Sequence, residues 1–458
     1  MNTTPNAGVQ HWNLMHFLTN KTEVREEHQT YPRTNGAAGT CSTEVPDHAS
    51  SHSATATSIG SRLRGKSAAM VTFSPYPHDP RVRRAVDALL QEGMNVDLLC
   101  VADGKSPKRE ILNGLDVRRL PIKNSRGGKL AYAYQYAVLI LLSSAILAFR
   151  SLRRRYDLVH VHNMPDILVV SALIPKMLGA KVILDLHDPM PELMMTIFGR
   201  DKDSLSVRLM KRLEKWSIAR ADLVFTVNIA CKRIFASRSC RPEKIGVVMN
   251  SPDGEIFSFR KPRPRAQLSQ AHDKRFVIMY HGSLVERNGL DLAVDAIARV
   301  RQAIPAVELR IYGRSTPFLE RVLSAAGDKG LNEAVRYLGS RRLEDLVPEI
   351  LDCDMGVIPN HRNAFTEINT PTRIFEYLAL GKPVVAPRTP GIEDYFSKDS
   401  LVFFDSGDSE DLARKIEHVY AHPAEAIAIA ERGQRVYLAH IWPQEREAFL
   451  NLTSELLA

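Results

Sequence analysis

Residues 370 to 386 read Thr-Pro-Thr-Arg-Ile-Phe-Glu-Tyr-Leu-Ala-Leu-Gly-Lys-Pro-Val-Val-Ala, which sets a helix start, two opposite charges and an apolar strand within one short stretch. Thr370 suits an N-cap, and Pro371 suits the first helical position, where its missing N–H costs nothing. Gly381 suits the end of the helix. This places Arg373 at the third helical position, where its cation opposes the positive end of the helix dipole and a capping box would hold Glu. Unsatisfied backbone N–H groups beside a guanidinium are what a phosphate or diphosphate prefers. Thr372 lies between the cap and that cation. Glu376 follows at i+3 on the same face and could accept hydrogen bonds from hydroxyls carried by the phosphate. A surface Arg–Glu pair on an ordinary αβ unit explains the same residues equally well at this point.

The elements that must position these groups alternate along the chain. Apolar runs at 68–74, 95–101, 157–162, 180–186, 222–227 and 244–249 read as strands, with helices expected at 80–92, 130–153, 165–178, 203–220 and 229–237. Such βα alternation implies a doubly wound, mainly parallel sheet. The pattern restarts after a segment rich in Pro and charge, with strands at 276–282, 307–313, 334–338, 354–358, 383–387 and 401–404. The fold class is therefore α/β, with two Rossmann-like domains facing a cleft. The expected division is a disordered tail 1–66, a first domain 67–249, a linker 250–274, a second domain 275–425, and C-terminal helices 426–458 packing back toward the first domain. Ligands of open parallel sheets bind at the carboxyl ends of the strands.

Polar clusters fall at those ends. The first expected strand is followed by Pro75-Tyr-Pro-His78-Asp79-Pro80-Arg81, the 157–162 strand by His162-Asn163-Met-Pro-Asp166, and the 180–186 strand by His187-Asp188-Pro-Met-Pro-Glu192. For any one histidine a capping or core role is the ordinary explanation, but three such loops at one sheet edge point to a site. In the second domain the 276–282 strand leads into Gly282-Ser283-Leu-Val-Glu286-Arg287-Asn288-Gly289, which puts Arg287 just before a helix N-terminus. No H-E-x-x-H spacing is present, so no metal is expected. The chain also lacks the G-x-S-x-G elbow of Ser hydrolases and the G-x-G-x-x-G of nicotinamide dehydrogenases.

The 458 residues carry a net charge of +9 and 5 scattered cysteines without a C-x-x-C pair, which fits a soluble protein of a reducing, cytoplasmic compartment. Between Lys105 and Arg155 lie 12 bases against 2 acids. Next to the densest part of that patch, Ala131 to Phe149 are apolar apart from Gln135, Ser143 and Ser144, which reaches the lower range for spanning a bilayer. Three readings stand: a membrane span, a buried crossover helix, or a crossover helix that also touches an anionic membrane surface at residues 105–155. Nucleic acid is not expected, because no aromatic-rich RNA-binding motif or zinc-finger spacing appears. The polar residues 1–66 contain no apolar run of signal-peptide type. Gly60-Ser-Arg-Leu-Arg-Gly65-Lys66-Ser67 matches a phosphate-loop pattern but has no strand before it, so it is set aside.

With these motifs in order, the chain resembles retaining glycosyltransferases of the GT-B fold, in the large family four. The carriers are His78-Asp-Pro-Arg-Val-Arg-Arg, Tyr156-Asp-Leu-Val-His-Val-His, Leu184-Asp-Leu-His-Asp with Pro191-Glu192, Tyr280-His-Gly-Ser-Leu-Val-Glu-Arg-Asn-Gly-Leu-Asp, and Phe375-Glu-Tyr-Leu-Ala-Leu-Gly-Lys-Pro-Val-Val-Ala. The resemblance implies a nucleotide-sugar donor held by the second domain through Gly282, Ser283, Asn288, Thr370, Pro371, Thr372 and Glu376. It implies an acceptor, a glycan or lipid-linked molecule, held by the first domain near His78, Asp79, Arg81, His162 and Asp188. His187 would sit beside the donor sugar, with Arg287 and Arg373 near the diphosphate, and no cofactor or obligatory metal is implied. A nucleotide-sugar epimerase or hydrolase, or a non-catalytic nucleotide-sugar binding protein, would use the same cleft. Family members often carry Glu-x7-Glu; here the first of these positions is Ile368, and Glu367 lies one residue off register.

Overall fold

The computed structural model describes residues 62–122, 129–264 and 275–458. Most of the expected tail and part of the expected linker lie outside the described residues. Leu63 corrects the tail's upper bound: its side chain is fully buried against the first sheet, so a single apolar residue already belongs to the core.

The first sheet has the order β3-β4-β2-β1-β5-β6-β7-β8, built from β1 (Ser67–Val71), β2 (Asn95–Val101), β3 (Arg109–Leu112), β4 (Leu115–Leu120), β5 (Leu158–His162), β6 (Lys181–Leu186), β7 (Leu223–Thr226) and β8 (Ile245–Val247). All neighbours are parallel except the β3–β4 pair. The second sheet has the order β11-β10-β9-β12-β13-β14 and is parallel throughout: β9 (Phe276–His281), β10 (Val307–Tyr312), β11 (Val335–Tyr337), β12 (Met355–Val357), β13 (Val384–Pro387) and β14 (Val402–Phe404). Both sheets bury apolar clusters on both faces, which is why their central strands read as continuous apolar runs. The strand order reverses between β1 and β5 in one sheet and between β9 and β12 in the other. The loops leaving those strands therefore meet at the crevices where open parallel sheets bind ligands.

The β3–β4 hairpin is an addition to the elements expected from the sequence. Its signal is Asn113-Gly114, an Asn-Gly pair with φ of 23° and 86° that makes a tight hairpin turn. The segment 165–178 is also shorter and tighter than expected, a 3-10 turn Asp166–Ala172 followed by a one-turn helix Leu173–Met177. A further helix, Met190–Phe198, follows the strand end at which only a polar loop is expected.

The helix Lys129–Arg153 is long and apolar enough to cross a membrane, but it packs along one flank on the first sheet, with Leu139, Ser143 and Leu147 fully buried. Ser143 Oγ donates to Leu139 O at 2.6 Å, so its hydroxyl is satisfied inside the protein. The other flank stays open: Tyr134, Leu141, Phe149 and Leu152 are exposed.

The charge count around this helix needs correction. Asp116 pairs with Arg109, Arg118 and Arg150, Arg119 pairs with Glu110, and Arg150 also reaches Asp97. Asp97, which lies outside the linear tally, also reaches Arg154 at 4.0 Å, so the basic patch at the helix end is partly neutralised and centres on Arg153 and Arg155. At the chain's end the helix Trp442–Leu456 packs on the helix Pro80–Gln91, and Phe449 enters the first domain's core beside Phe225.

Candidate active site

The second-domain half of the site starts at the end of β9. Gly282 has φ of +124°, and a Cβ there would lie 3.2 Å from Arg373 Cδ, so the bare backbone lets the arginine cross over it. Arg373 Nη1 donates to His281 O at 2.8 Å, Nη2 lies 3.4 Å from Asn360 Oδ1, and the guanidinium sits 4.7 Å from the Tyr280 ring centre. Glu376 is not its partner. One Glu376 oxygen instead meets His281 Nε2 at 2.5 Å, while His281 Nδ1 meets the Tyr377 hydroxyl at 2.9 Å. The surface Arg–Glu pair is thus absent, and both side chains point to the β9 end.

The helix start is corrected by one residue. Helix Thr372–Ala379 has Pro371 at the N-cap with no side-chain cap bond, because Thr370 Oγ1 donates to Gly391 O at 2.6 Å instead. The cap is therefore proline, and no side chain satisfies the first-turn N–H groups. Thr370 Oγ1 also accepts from Asn228 Nδ2 of the first domain at 3.2 Å. Ile368 is buried against that domain, and its carbonyl accepts from Asn228 Nδ2 at 2.8 Å, so its side chain packs between domains rather than lining the donor space. Lys382 donates to Leu351 O and Cys353 O at 2.8 and 2.7 Å, closing the end of a neighbouring helix.

Arg287 sits in the 3-10 turn Glu286–Asn288 and is buried, while Asn288 Nδ2 donates to Ser283 O at 2.8 Å and holds that loop closed. Burial pulls the Arg287 guanidinium down to about 10, with repulsion from Arg373 adding to it and attraction to Asp188 opposing it. That attraction spans the cleft between the two domains. Burial likewise raises the Asp188 carboxyl against the pull of Arg81, His187 and Arg287.

The first-domain half gathers at the ends of β5 and β6. His187 is nearly buried, and its backbone N–H donates to Asn163 Oδ1 at 2.8 Å. Asn163 Nδ2 in turn donates to Asp166 Oδ1 at 2.9 Å and to Asp188 O at 3.1 Å. His162 does not line an acceptor surface: its side chain is fully buried, and Nδ1 lies 3.2 Å from His187 Nε2, so it backs that residue. Asp79 caps the helix Pro80–Gln91 through the Arg81 N–H at 3.0 Å and lies 3.6 Å from the Arg81 guanidinium. Burial opposes its ionisation, but Arg81, His187 and His162 outweigh it and hold its carboxyl at about 2. His78 is exposed at the mouth. Arg83 and Arg84, of the same motif, bind Asp253 and Ser251 O and thereby hold the connection leaving the first domain.

Sequence reasoning assigns no role to Asp185, Asn163, His281 or Asn360. Asp185 has a signal, since strand alternation puts it on the same side as His187. Two groups of described residues could hold a metal ion by the spacing of their ligand atoms, His160 with His162 and Asp185, and His418 with His422 and Glu425.

Asp166 yields a prediction for pH. Burial pushes its carboxyl up to about 7, above an unfolded value of about 4. Its contribution is full below the unfolded value and is lost as pH rises through the folded one, so it makes stability fall between about pH 4 and 7. Asp166→Asn removes that proton equilibrium. Urea midpoints at pH 5 and 8 are expected to differ less in the variant than in the parent, and an equal difference would refute the assignment.

Comparison with known proteins bears on the family and the fold. A family model described as glycosyl transferase 4-like domain matches residues 78–251, and one described as glycosyl transferases group 1 matches residues 275–422. The chain is similar to the lipopolysaccharide core biosynthesis glycosyltransferase LpsE of Rhizobium meliloti, with 30% identity over 196 residues, 42% of this chain and 53% of LpsE. It is also similar to the D-inositol 3-phosphate glycosyltransferase of Saccharomonospora viridis, with 25% identity over 259 residues, 54% of this chain and 58% of that protein. The chain spans about half the length of the curated relatives it matches. Among solved structures, sucrose-phosphate synthase from Thermosynechococcus elongatus shares the fold with a TM-score of 0.69 at 17% identity, over 85% of this chain and 99% of that one. Anabaena Alr3699/HepE, solved in complex with UDP, shares it with a TM-score of 0.63 at 18% identity, over 85% of this chain and 100% of that one. The chain belongs to the group 1 glycosyltransferases of the GT-B fold.

Proposed function

We propose that this protein is a retaining glycosyltransferase that moves a sugar from a nucleoside-diphosphate donor to a lipid-linked or polysaccharide acceptor. The observation that carries this reading is the convergence of Arg287, Arg373 and the uncapped start of helix Thr372–Ala379 at the end of β9, facing Asp188 and His187 of the first domain. Departure of a diphosphate develops negative charge, and fixed cations with helix N–H groups stabilise it in place, with no metal called for. The bond from the sugar C1 to the phosphate oxygen breaks as the acceptor hydroxyl attacks the same face. The departing phosphate takes the hydroxyl proton, so no carboxylate nucleophile is needed.

Glu376 keeps one oxygen for a ribose hydroxyl while His281 holds the other. Gly282, Ser283 and Asn288 shape the loop against the diphosphate. His187 stands at the sugar, and His78, Asp79, Arg81 and Asp188 border the acceptor side. The UDP bound by the Anabaena protein of the same fold supports a nucleotide donor. The test is a screen of uridine, guanosine, adenosine and thymidine diphosphate sugars, with nucleoside diphosphate release as readout. Release that needs an acceptor supports a transferase. Release that proceeds equally without one favours a hydrolase, and none at all favours a binding protein.

A lipid-linked acceptor calls for a location at the cytoplasmic face of a membrane. The open flank of helix Lys129–Arg153 supports it, with Tyr134, Leu141, Phe149 and Leu152 at 71%, 69%, 55% and 75% exposure and Arg153, Arg154 and Arg155 following at its end. Each base near an anionic surface contributes about 1 kcal/mol. Replacing the three arginines by glutamine is therefore expected to weaken binding to phosphatidylserine vesicles at least tenfold in low salt, and less at high salt. Unchanged sedimentation with vesicles would remove the membrane from the proposal.

A further inference from the structure

β5 and β6 run side by side with His162 opposite Asp185. Alternation then puts His160 and His162 on one side of β5, with Asp185 beside them and His187 just beyond the end of β6. One Asp185 oxygen, Oδ2, lies 3.3 Å from His162 Nδ1, 3.4 Å from His187 Nε2 and 3.5 Å from His160 Nε2. A single carboxylate oxygen is thus the hub of three imidazoles, two of them with fully buried side chains. The cluster is closed on its far side by aromatic rings: His160 stacks on His162 at 4.2 Å and on Phe449 of the C-terminal helix at 5.8 Å. Stability alone does not call for this carboxylate, whose side chain is only 18% exposed, since apolar residues of similar volume usually serve a sheet interior at least as well.

We propose that Asp185 is a positioning residue for the transfer reaction, holding the His187 ring by Nε2 so that Nδ1 and the ring face turned away from the cluster are presented to the donor sugar. This rests on the reading of His187 as the residue beside that sugar. The His187 backbone is then fixed by Asn163, and its ring Nε2 faces both Asp185 Oδ2 at 3.4 Å and His162 Nδ1 at 3.2 Å. Burial opposes ionisation of Asp185, but His187, His160 and His162 hold its carboxyl well below the usual range, so the hub is an anion. The other charged groups around the cluster are Asp79 at the end of the loop after β1, Arg81 in the helix it caps, Asp188 beside His187, and Arg287 across the cleft. Of these, Asp185 is the group that contacts all three rings at ion-pair distance.

Asp185→Asn keeps the volume and removes the charge. The expected result is a fall in kcat of about 10- to 100-fold, the range of a lost orienting partner, with donor KM changed by less than about threefold. Asp185→Glu, which keeps the charge, should retain more activity than the amide. Equal losses in both variants, or a donor KM raised as far as kcat falls, would mean a merely structural role and overturn the proposal.

A measurement on the parent protein does not depend on the variants folding. Nitrogen NMR of the His187 ring should report the tautomer protonated at Nε2, and protonation at Nδ1 would overturn the proposal. So would metal analysis finding one tightly held ion per chain at His160, His162 and Asp185, since the ion would then order the rings. If no nucleotide sugar is turned over, the transferase reading fails on its own, while the tautomer still decides whether Asp185 holds His187.

Discussion

Arg373→Ala is expected to lower kcat with the preferred donor by about 10²- to 10³-fold, the cost of removing one fixed group that stabilises charge developing in a transition state. Arg373 has no ion-pair partner among the described residues, and its side-chain bonds go to a backbone carbonyl and an amide oxygen, both neutral acceptors. Its charge is therefore available to an anion. The neighbouring Arg287 is buried, and its guanidinium is pulled down by burial and by Arg373 against the pull of Asp188, which marks a site where two cations crowd together. A diphosphate relieves that crowding, and its developing charge in the transition state relieves it further, so the larger loss should fall on kcat. Arg373→Lys keeps a charge but not the planar fork that reaches His281 O and Asn360 together, and should land between parent and alanine. Steady-state kinetics with nucleoside diphosphate release measure all three proteins, and circular dichroism checks that they fold alike. An alanine variant turning over every donor as fast as the parent would remove Arg373 from the site.

The parallel core is legible because both faces of each sheet are covered: β9, expected at 276–282, is Phe276–His281, and β10, expected at 307–313, is Val307–Tyr312. What escapes a linear reading is set by partners distant in sequence. The bases between Lys105 and Arg155 look like one patch because Asp97 lies outside that window, and the Asn-Gly turn folds Arg109 back onto Asp116. Thr370 looks like a cap, but Gly391, twenty-one residues on, offers its carbonyl first. As candidates, Arg287, Arg373, Glu376 and His187 are legible by type, and all four lie at the strand-end crevice. Their partners are not, since His281 and Asp185 sit at strand ends where only the pairing register shows what they face. Periodicity names the strand; it takes the neighbour to name the role.

The largest expected loss of stability among single small substitutions at the site is Gly289→Ala. Gly289 joins the turn carrying Arg287 to the helix Leu290–Ala303 with φ of +65°, where alanine costs about 1 kcal/mol or more in backbone strain alone. Steric overlap adds more than this strain. A Cβ there would fall 1.9 Å from Pro359 O and 2.9 Å from Pro359 C, and these are backbone atoms of the loop leaving β12, which no side-chain rotation can move aside. That loop is tied to the turn, because His361 N donates to Arg287 O at 3.0 Å, and it carries Asn360, which holds Arg373. The methyl group therefore separates the two crevice loops of the second sheet, shifting Arg287 and Arg373 relative to each other while it destabilises the fold. The combined loss is expected to be about 3 kcal/mol or more, in the range of strained or overpacked positions. Gly407→Ala is the control: its φ of +89° is similar, but nothing lies within 4 Å of its Cβ, so it should cost about 1 kcal/mol. Urea unfolding of both variants gives the two losses, and nucleoside diphosphate affinity at a temperature where both are folded gives the functional one. Equal losses in the two variants would mean that the crevice loops yield to a methyl group, and that the close backbone approach at Gly289 does not hold the arginines in place.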